Sequence, residues 1–229
     1  MATELREACL AAVAELTAAT PDVVAVVGAG DRTGAWNGDA ELDLDSYAPG
    51  LILANGQGPA DLRRSSGESP AGSPALPSAL GVGAWLLGQA DGRTGGRLLQ
   101  AVGADELPGR CAAIGAALAS AGDRVAFLVM ADGSARRGLK APGYLDERSA
   151  DFDALVEKAV REGQPDALLS VEPALARELM AAGRPAWQVL AGALDGHKVS
   201  SEIRYSDDPF GVSYLVASFR VQAEPWRRP

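Results

Sequence analysis

Three carboxylates and one hydroxyl are placed where this chain could do chemistry. Asp31 follows the apolar run Val23–Val27, Asp132 and Ser134 follow the run Val125–Met130, and Glu202 lies in the late segment Ser200–Tyr205. Asp132-Gly133-Ser134 is turn chemistry that presents side chains at the C-terminal edge of a strand, the edge at which open α/β sheets bind ligands. If Asp31, Asp132 and Glu202 face one crevice with Ser134 and Arg136, that crevice suits a small cation, an amine or a divalent metal such as Mg²⁺, which prefers oxygen ligands. The plain alternative is a pair of turn-capping aspartates and a solvated glutamate. His197 is the only histidine, so chemistry that needs two imidazoles from one chain is excluded, and its polar surroundings Asp195–Lys198 read as an exposed loop. Arg136, Arg137 and Lys140 form a basic patch that either attracts a carboxylate or solvates the turn. Tyr144 and Trp187 could line a pocket, although aromatics at helix starts usually serve packing. The glycine-rich Gly28–Gly34 resembles a dinucleotide-binding loop. The acidic, poorly periodic residues after it do not form the helix whose N-terminus would receive a phosphate, so it reads as a strand-to-loop turn.

The elements that must position these residues follow from composition and pattern. A chain of 229 residues fits one α/β domain. Hydrophobic residues make up 47% and aromatic residues 5%, so the core is expected to be built from Ala, Val and Leu. A net charge of −9 repels phosphate backbones and argues against nucleic acid or an anionic membrane surface as partner. Cys9 and Cys111 lie far apart with no CxxC pair, which points to buried reduced thiols. No apolar run reaches membrane-spanning length and the N-terminus is acidic and amphipathic, so a cytoplasmic, soluble protein is expected.

Leu5, Cys9, Val13 and Leu16 recur at helical spacing and predict a helix over about residues 3–19. The β-branched VVAVV run then reads as a strand covered on both faces. A short strand is expected at Gly50–Ala54, followed by a mobile Gly/Pro/Ser-rich loop over about 55–78. Ser78 is expected to cap the next helix, with a strand at Leu98–Val102 and a helix from Pro108 to Ser120 feeding the Val125–Met130 strand. Ser149–Arg161 and the run from Pro165 to Leu194 read as helices with prolines in their first turns. Ser200–Tyr205 and Val212–Val221, flanking SDDPFG, predict a hairpin or bulged strand pair.

With these elements placed, the tracts PDVVAVVGAGDRTGAW, LVMADGSARR, the helical section from Tyr144 to Gly196 and EIRYSDDPFGVSYLVASF together resemble the class III extradiol ring-cleavage dioxygenase superfamily of LigB type, which includes Memo-like proteins. The resemblance implies a three-layer αβα fold with a mixed, mostly parallel central sheet. In that family two histidines and a carboxylate hold Fe(II), leaving open positions for substrate and oxygen. The first family histidine lies on a strand ahead of the helix that opens this chain. The second falls where this chain reads Val27-Gly28-Ala29-Gly30-Asp31. The acid–base histidine matches Ala135, with Asp132 and Ser134 retained around it, and Glu202 is the candidate for the carboxylate. A positioned acid–base group contributes about 100- to 10,000-fold in rate, and the adjacent Arg136 is permanently cationic and cannot act as a base.

The resemblance therefore implies a degenerate member, a pseudoenzyme that binds a small ligand or a protein partner through the old crevice, with no cofactor favoured. The alternative is an active metal-dependent ring-cleaving enzyme. It would use Fe(II) or another divalent metal on Asp31 and Glu202, act through Asp132, Ser134 and Arg136, and be completed by a missing N-terminal segment or another subunit. A sheet edge left unpaired by loss of the first strand would favour a homo-oligomer or partner-strand addition.

Overall fold

The computed structural model describes residues 2–36, 42–43, 51–53, 63–64, 76–90 and 95–222. The chain opens with helix α1 (Ala2–Ala18), turns at Pro21 and enters strand β1 (Val23–Gly30). Val24 through Val27 are completely buried, as expected of a β-branched strand covered on both faces. Period-two alternation divides its side chains between two cores. Val24 and Val26 join Val13 of α1 in one apolar cluster, and Val27 joins a second cluster on the opposite face.

After β1 come the short strand β2 (Gly34–Trp36) and three minimal strands, β3 (Leu42–Asp43), β4 (Leu51–Leu53) and β5 (Arg63–Arg64), which form a small antiparallel sheet of their own. The strand expected at Gly50–Ala54 is β4. The expected mobile loop over about 55–78 lies largely outside the described residues. Helix α2 (Ser78–Gly88) packs its Leu80 and Leu87 into the first cluster. Ser78 does not cap it: Pro77 occupies the cap position with extended backbone and no side-chain bond is made, because the proline already sets the entry geometry of the first turn.

Strand β6 (Gly96–Gly103), helix α3 (Pro108–Ala119) and strand β7 (Val125–Met130) complete the central sheet. Its order is β2-β6-β1-β7. β6 and β7 pair with β1 in parallel, and β2 pairs antiparallel with β6 at the edge. Helix α4 (Arg148–Arg161), a 3-10 turn at Pro165–Ser170, α5 (Pro173–Glu178) and α6 (Arg184–Ala193) follow, with prolines at the starts of the last three. α3 and α6 cover the second face through Cys111, Ile114, Ala186 and Val189. They meet backbone to backbone: a Cβ on Gly115 would lie 2.0 Å from the Val189 carbonyl oxygen, and one on Gly192 would lie 2.2 Å from that of Ala112. The chain closes with the hairpin β8 (Val199–Asp207) and β9 (Tyr214–Val221), whose register shifts at a bulge between Ile203 and Tyr205. Helices on both faces of a mixed, mostly parallel sheet make this a three-layer αβα fold.

Among the described residues no helix is long and apolar enough to cross a membrane. Cys111 is a buried free thiol, whereas Cys9 is only half-buried. Burial pushes both thiols up from their ordinary pKa.

Candidate functional site

The winding of the sheet reverses at β1. The helix that follows β1, α2, lies on one face of the sheet, and the helix that follows β6, α3, lies on the other. The loops leaving these two neighbouring strands therefore part, opening the kind of crevice in which open α/β sheets place ligands. An open cleft of about 550 Å³ occupies this position, lined by Gly30, Asp31 and Thr33 from the β1 side and Gly103, Ala104, Asp105 and Glu106 from the β6 side. The Thr33 hydroxyl ties the walls together, donating to Glu106 Oε2 at 2.6 Å and accepting from the Gly103 N–H at 3.0 Å. Asp105 pairs with Arg177 of α5. Asp31 is exposed and makes no ion pair among the described residues.

Beneath the β6 wall lies Arg184, 1% exposed. Its guanidinium donates to the carbonyls of Ala104 and Glu106 and to Gln188 Oε1. Gln188 is itself fully buried and donates to the carbonyls of Leu168 and Val171. One turn of α6 thus anchors both the cleft wall and the 3-10 turn. Burial lowers the Arg184 pKa, and the charge remains because arginine keeps its proton in proteins.

The second locus is the turn after β7. Ser134 is wholly buried. Its backbone N–H and its hydroxyl both donate to Asp153 of α4, at 2.9 and 2.5 Å. Burial raises the Asp153 pKa, while the Ser134 bonds and Arg137 act to lower it. Asp132 is exposed over part of its surface, yet protein crowds its carboxyl closely enough for burial to raise its pKa. Its carbonyl accepts from the Gly183 N–H, an approach that needs glycine, since a Cβ there would lie 2.5 Å from the Asp132 backbone. Ala135 bonds through its backbone to Leu179 and Gly143 and offers only a methyl group. Arg136 donates to the Glu178 carbonyl at 2.9 Å, lies 4.0 Å from Asp146, and has a buried Nε with no partner.

The expected single crevice does not form. Asp31 and Asp132 leave the same edge of adjacent parallel strands, but Glu202 belongs to the hairpin, where Arg204 and Arg220 bond it at 3.1 and 3.3 Å. It stands roughly 17 Å along β8 from the tip that meets Ser134, at about 3.3 Å per residue. Two guanidiniums already occupy the carboxylate expected as a metal ligand. Among the described residues no group of three or more His, Cys, Asp and Glu side chains could hold a metal ion. The residues present do not fit the Fe(II) site of the resemblance: methyl and hydrogen stand at Ala135 and at Gly28–Gly30, where it would put imidazoles. Arg136 serves the α5 carbonyl end, and Ser134 is bonded to Asp153.

His197 is exposed in the turn before β8, and Lys140 and Tyr144 are exposed after the β7 turn. Trp187 packs against Phe152, with ring centroids 6.3 Å apart. Asp105, Glu106, Asp153, Arg184 and Gln188 were not singled out by the sequence. Asp105 and Glu106 carried a usable signal, since they follow a strand run as Asp31 does. Arg184 and Gln188, at i and i+4 of a helix, carried none.

No family model matches the chain, and no curated protein matches it. What the fold defines is a class, an αβα sandwich with a cleft at the reversal of its sheet. Among solved structures the chain is similar to the crystal structure of the uncharacterized protein JW3007 from Escherichia coli K12. The TM-score is 0.50 at 16% sequence identity, over 91% of this chain and 90% of that one. At that identity the likeness is one of fold.

Proposed function

We propose that this chain is a binding protein on a LigB-type scaffold, and that it takes a small organic cation, an amine, in the cleft between the ends of β1 and β6. The observation that carries this reading is the position and charge of the cleft. It lies at the reversal of the sheet, and its rim holds Asp31, Asp105 and Glu106, of which only Asp105 has a guanidinium partner among the described residues. The Thr33 bond fixes Glu106, and the Arg184 anchor fixes the backbone behind it, so the acceptors are preorganised. Asp31 supplies the counter-charge and Glu106 the oriented acceptor. A noncatalytic role is supported by Ala135 and Gly28–Gly30, which carry no group able to bind metal or move a proton.

One observation favours the second reading, a metal-dependent ring-cleaving enzyme. Asp132 is a carboxyl at a strand end with a raised pKa, a feature that recurs at acid–base sites. Two measurements separate the readings. Calorimetric titration with 1,4-diaminobutane is expected to give saturable binding that weakens about tenfold in Asp31→Asn, the loss of one charge-assisted bond. Oxygen uptake on catechols after loading with Fe(II) is expected to stay at the protein-free rate. Turnover with iron, together with no amine binding, would replace the first reading by the second.

A further inference from the structure

At the rim of the cleft between β1 and β6 stands an ion pair, Arg177 of α5 with Asp105. We propose that this pair recognises an α-amino-acid group, so that the cleft takes a basic α-amino acid such as ornithine. This inference deepens the amine reading of the same cleft and rests on it. An α-amino acid carries an ammonium and a carboxylate side by side, and an opposed carboxylate and guanidinium are their complement. Arg177 takes the ligand carboxylate, and Asp105 takes the α-ammonium.

The arginines at the walls differ in what they offer a ligand. Arg184 is buried and uses both of its Nη groups on the carbonyls of Ala104 and Glu106 and on Gln188, so it holds the wall from behind. Arg32, next to Asp31, lies over the Trp36 ring at 5.5 Å from its centroid and is committed to that face. Arg177 is placed differently: its side chain is 63% exposed and that of Asp105 81%. One Nη of Arg177 donates to Asp105 Oδ1, and its other N–H groups have no partner among the described residues. A guanidinium with donors to spare beside a cleft is open to a second carboxylate, in the two-pronged geometry that arginine favours.

The sheet sets the two ends of the ligand against each other. Gly30 and Gly103 are register partners on β1 and β6; Asp31 follows the first directly, and Asp105 follows the second by two residues. Neighbouring strands lie about 4.8 Å apart, so Asp31 and Asp105 leave the sheet side by side at the cleft. With the α-ammonium on Asp105, the side-chain ammonium falls to Asp31 and Glu106, neither of which has a cationic partner among the described residues. The elements behind the pair are firm: α5 is seated through the buried Ala176 and Leu179, and the β6 loop is tied by Arg184. Only the two exposed side chains need adjust, and an exposed ion pair contributes little to stability, so parting it to admit a ligand costs little.

Calorimetric titrations of the full chain with 1,4-diaminobutane and with L-ornithine, which is that diamine carrying one carboxylate, test this. Ornithine is expected to bind about fivefold more tightly, the gain from one partly exposed arginine–carboxylate contact. Arg177→Ala is expected to abolish that gain and to leave diamine binding within about twofold of its original value, whereas Asp31→Asn weakens both ligands alike. Diamine binding with no preference for ornithine, or a preference that survives in Arg177→Ala, would overturn the amino-acid inference and leave the amine reading standing. An equal loss of both ligands in Arg177→Ala would overturn it too, by making Arg177 a structural residue. No saturable binding of either ligand would overturn the amine reading and the inference with it.

Discussion

Strand β1 and the β8–β9 hairpin are both extended segments rich in β-branched and aromatic residues, yet different forces hold them. β1 has five consecutive buried residues and apolar clusters on both faces. The hairpin's apolar side chains, Ile203, Leu215, Val216 and Phe219 among them, are only half-buried, and Glu15, Glu157, Arg137 and their partners add ion pairs and hydrogen bonds. Burial is almost indifferent to ionic strength, whereas charge pairing is not. The two candidate loci fall on either side of this division. The β1–β6 cleft is built on the buried strands, and the β7 turn, with Ser134 and Arg137, bonds the tip of the hairpin. The proposed binding site is thus carried by the part of the fold least sensitive to ionic strength.

The largest effect expected of a single substitution is in the core beside β1. Leu80 is completely buried, and Leu80→Ala is expected to cost about 2–5 kcal/mol, by the same amount in thermal melts at low and high salt. A salt-dependent cost would erase the contrast between the regions. Next is Ser134→Ala, which removes a hydroxyl bonded to the half-desolvated Asp153 and is expected to cost about 1–3 kcal/mol. The same change at the exposed Ser206, also bonded to a carboxylate, is expected to cost under about 0.5 kcal/mol in chemical denaturation.

Much of this contrast was readable from residue types alone. VVAVV announced a doubly covered strand, Val125–Met130 its neighbour, and the SDDPFG turn a hairpin, because runs of β-branched and aromatic residues bounded by turn residues leave few alternatives. The α/β class followed from helix and strand alternation, and the three-layer arrangement from the resemblance. Less legible was what depends on partners distant in sequence. Glu202 looked like a free carboxylate because Arg220 and Glu15, which engage it and its neighbours, lie 18 and 187 residues away in the chain. Asp153 has no distinguishing sequence signal, because its partner Ser134 lies on a different element 19 residues away. Arg184 and Gln188 resembled ordinary helix polar residues, and only the packing of α6 against the β6 loop makes them interior anchors.

A smaller effect is the pH response, whose sign differs between Glu15 and the aspartates at the β7 turn. Burial opposes ionisation of Glu15, but hydrogen bonds from Arg220 and Arg204 outweigh it and hold the carboxyl below its usual range. Its stabilising contribution is therefore present above about pH 4.5, the ordinary value for the unfolded chain, and is lost as pH falls through the lower folded pKa. Asp132 and Asp153 are raised above 3.8, so their contributions are complete below that pH and are lost as pH rises through their folded pKa values. Asp132→Asn is accordingly expected to gain slightly in stability at pH 7 and to flatten the melting temperature between pH 4 and pH 7. A loss of stability at pH 7 would assign Asp132 a structural bond that its surroundings do not contain. The smallest effect is expected for Glu202→Gln. Its carboxyl is half exposed, and removing its charge should change stability by less than about 0.5 kcal/mol, since Glu15 remains the main acceptor for both arginines.

The central claim is that the cleft at the reversal of the sheet receives a small cation. The most direct measurement is a titration of the ¹⁵N-labelled protein with 1,4-diaminobutane, read as amide shift changes. The account predicts saturable shifts confined to Gly30, Asp31, Thr33 and the Gly103–Glu106 segment, which need about tenfold more diamine to saturate in Asp31→Asn while that variant keeps its fold. Shifts centred instead on Asp132 and Ser134, or none that saturate, would contradict it.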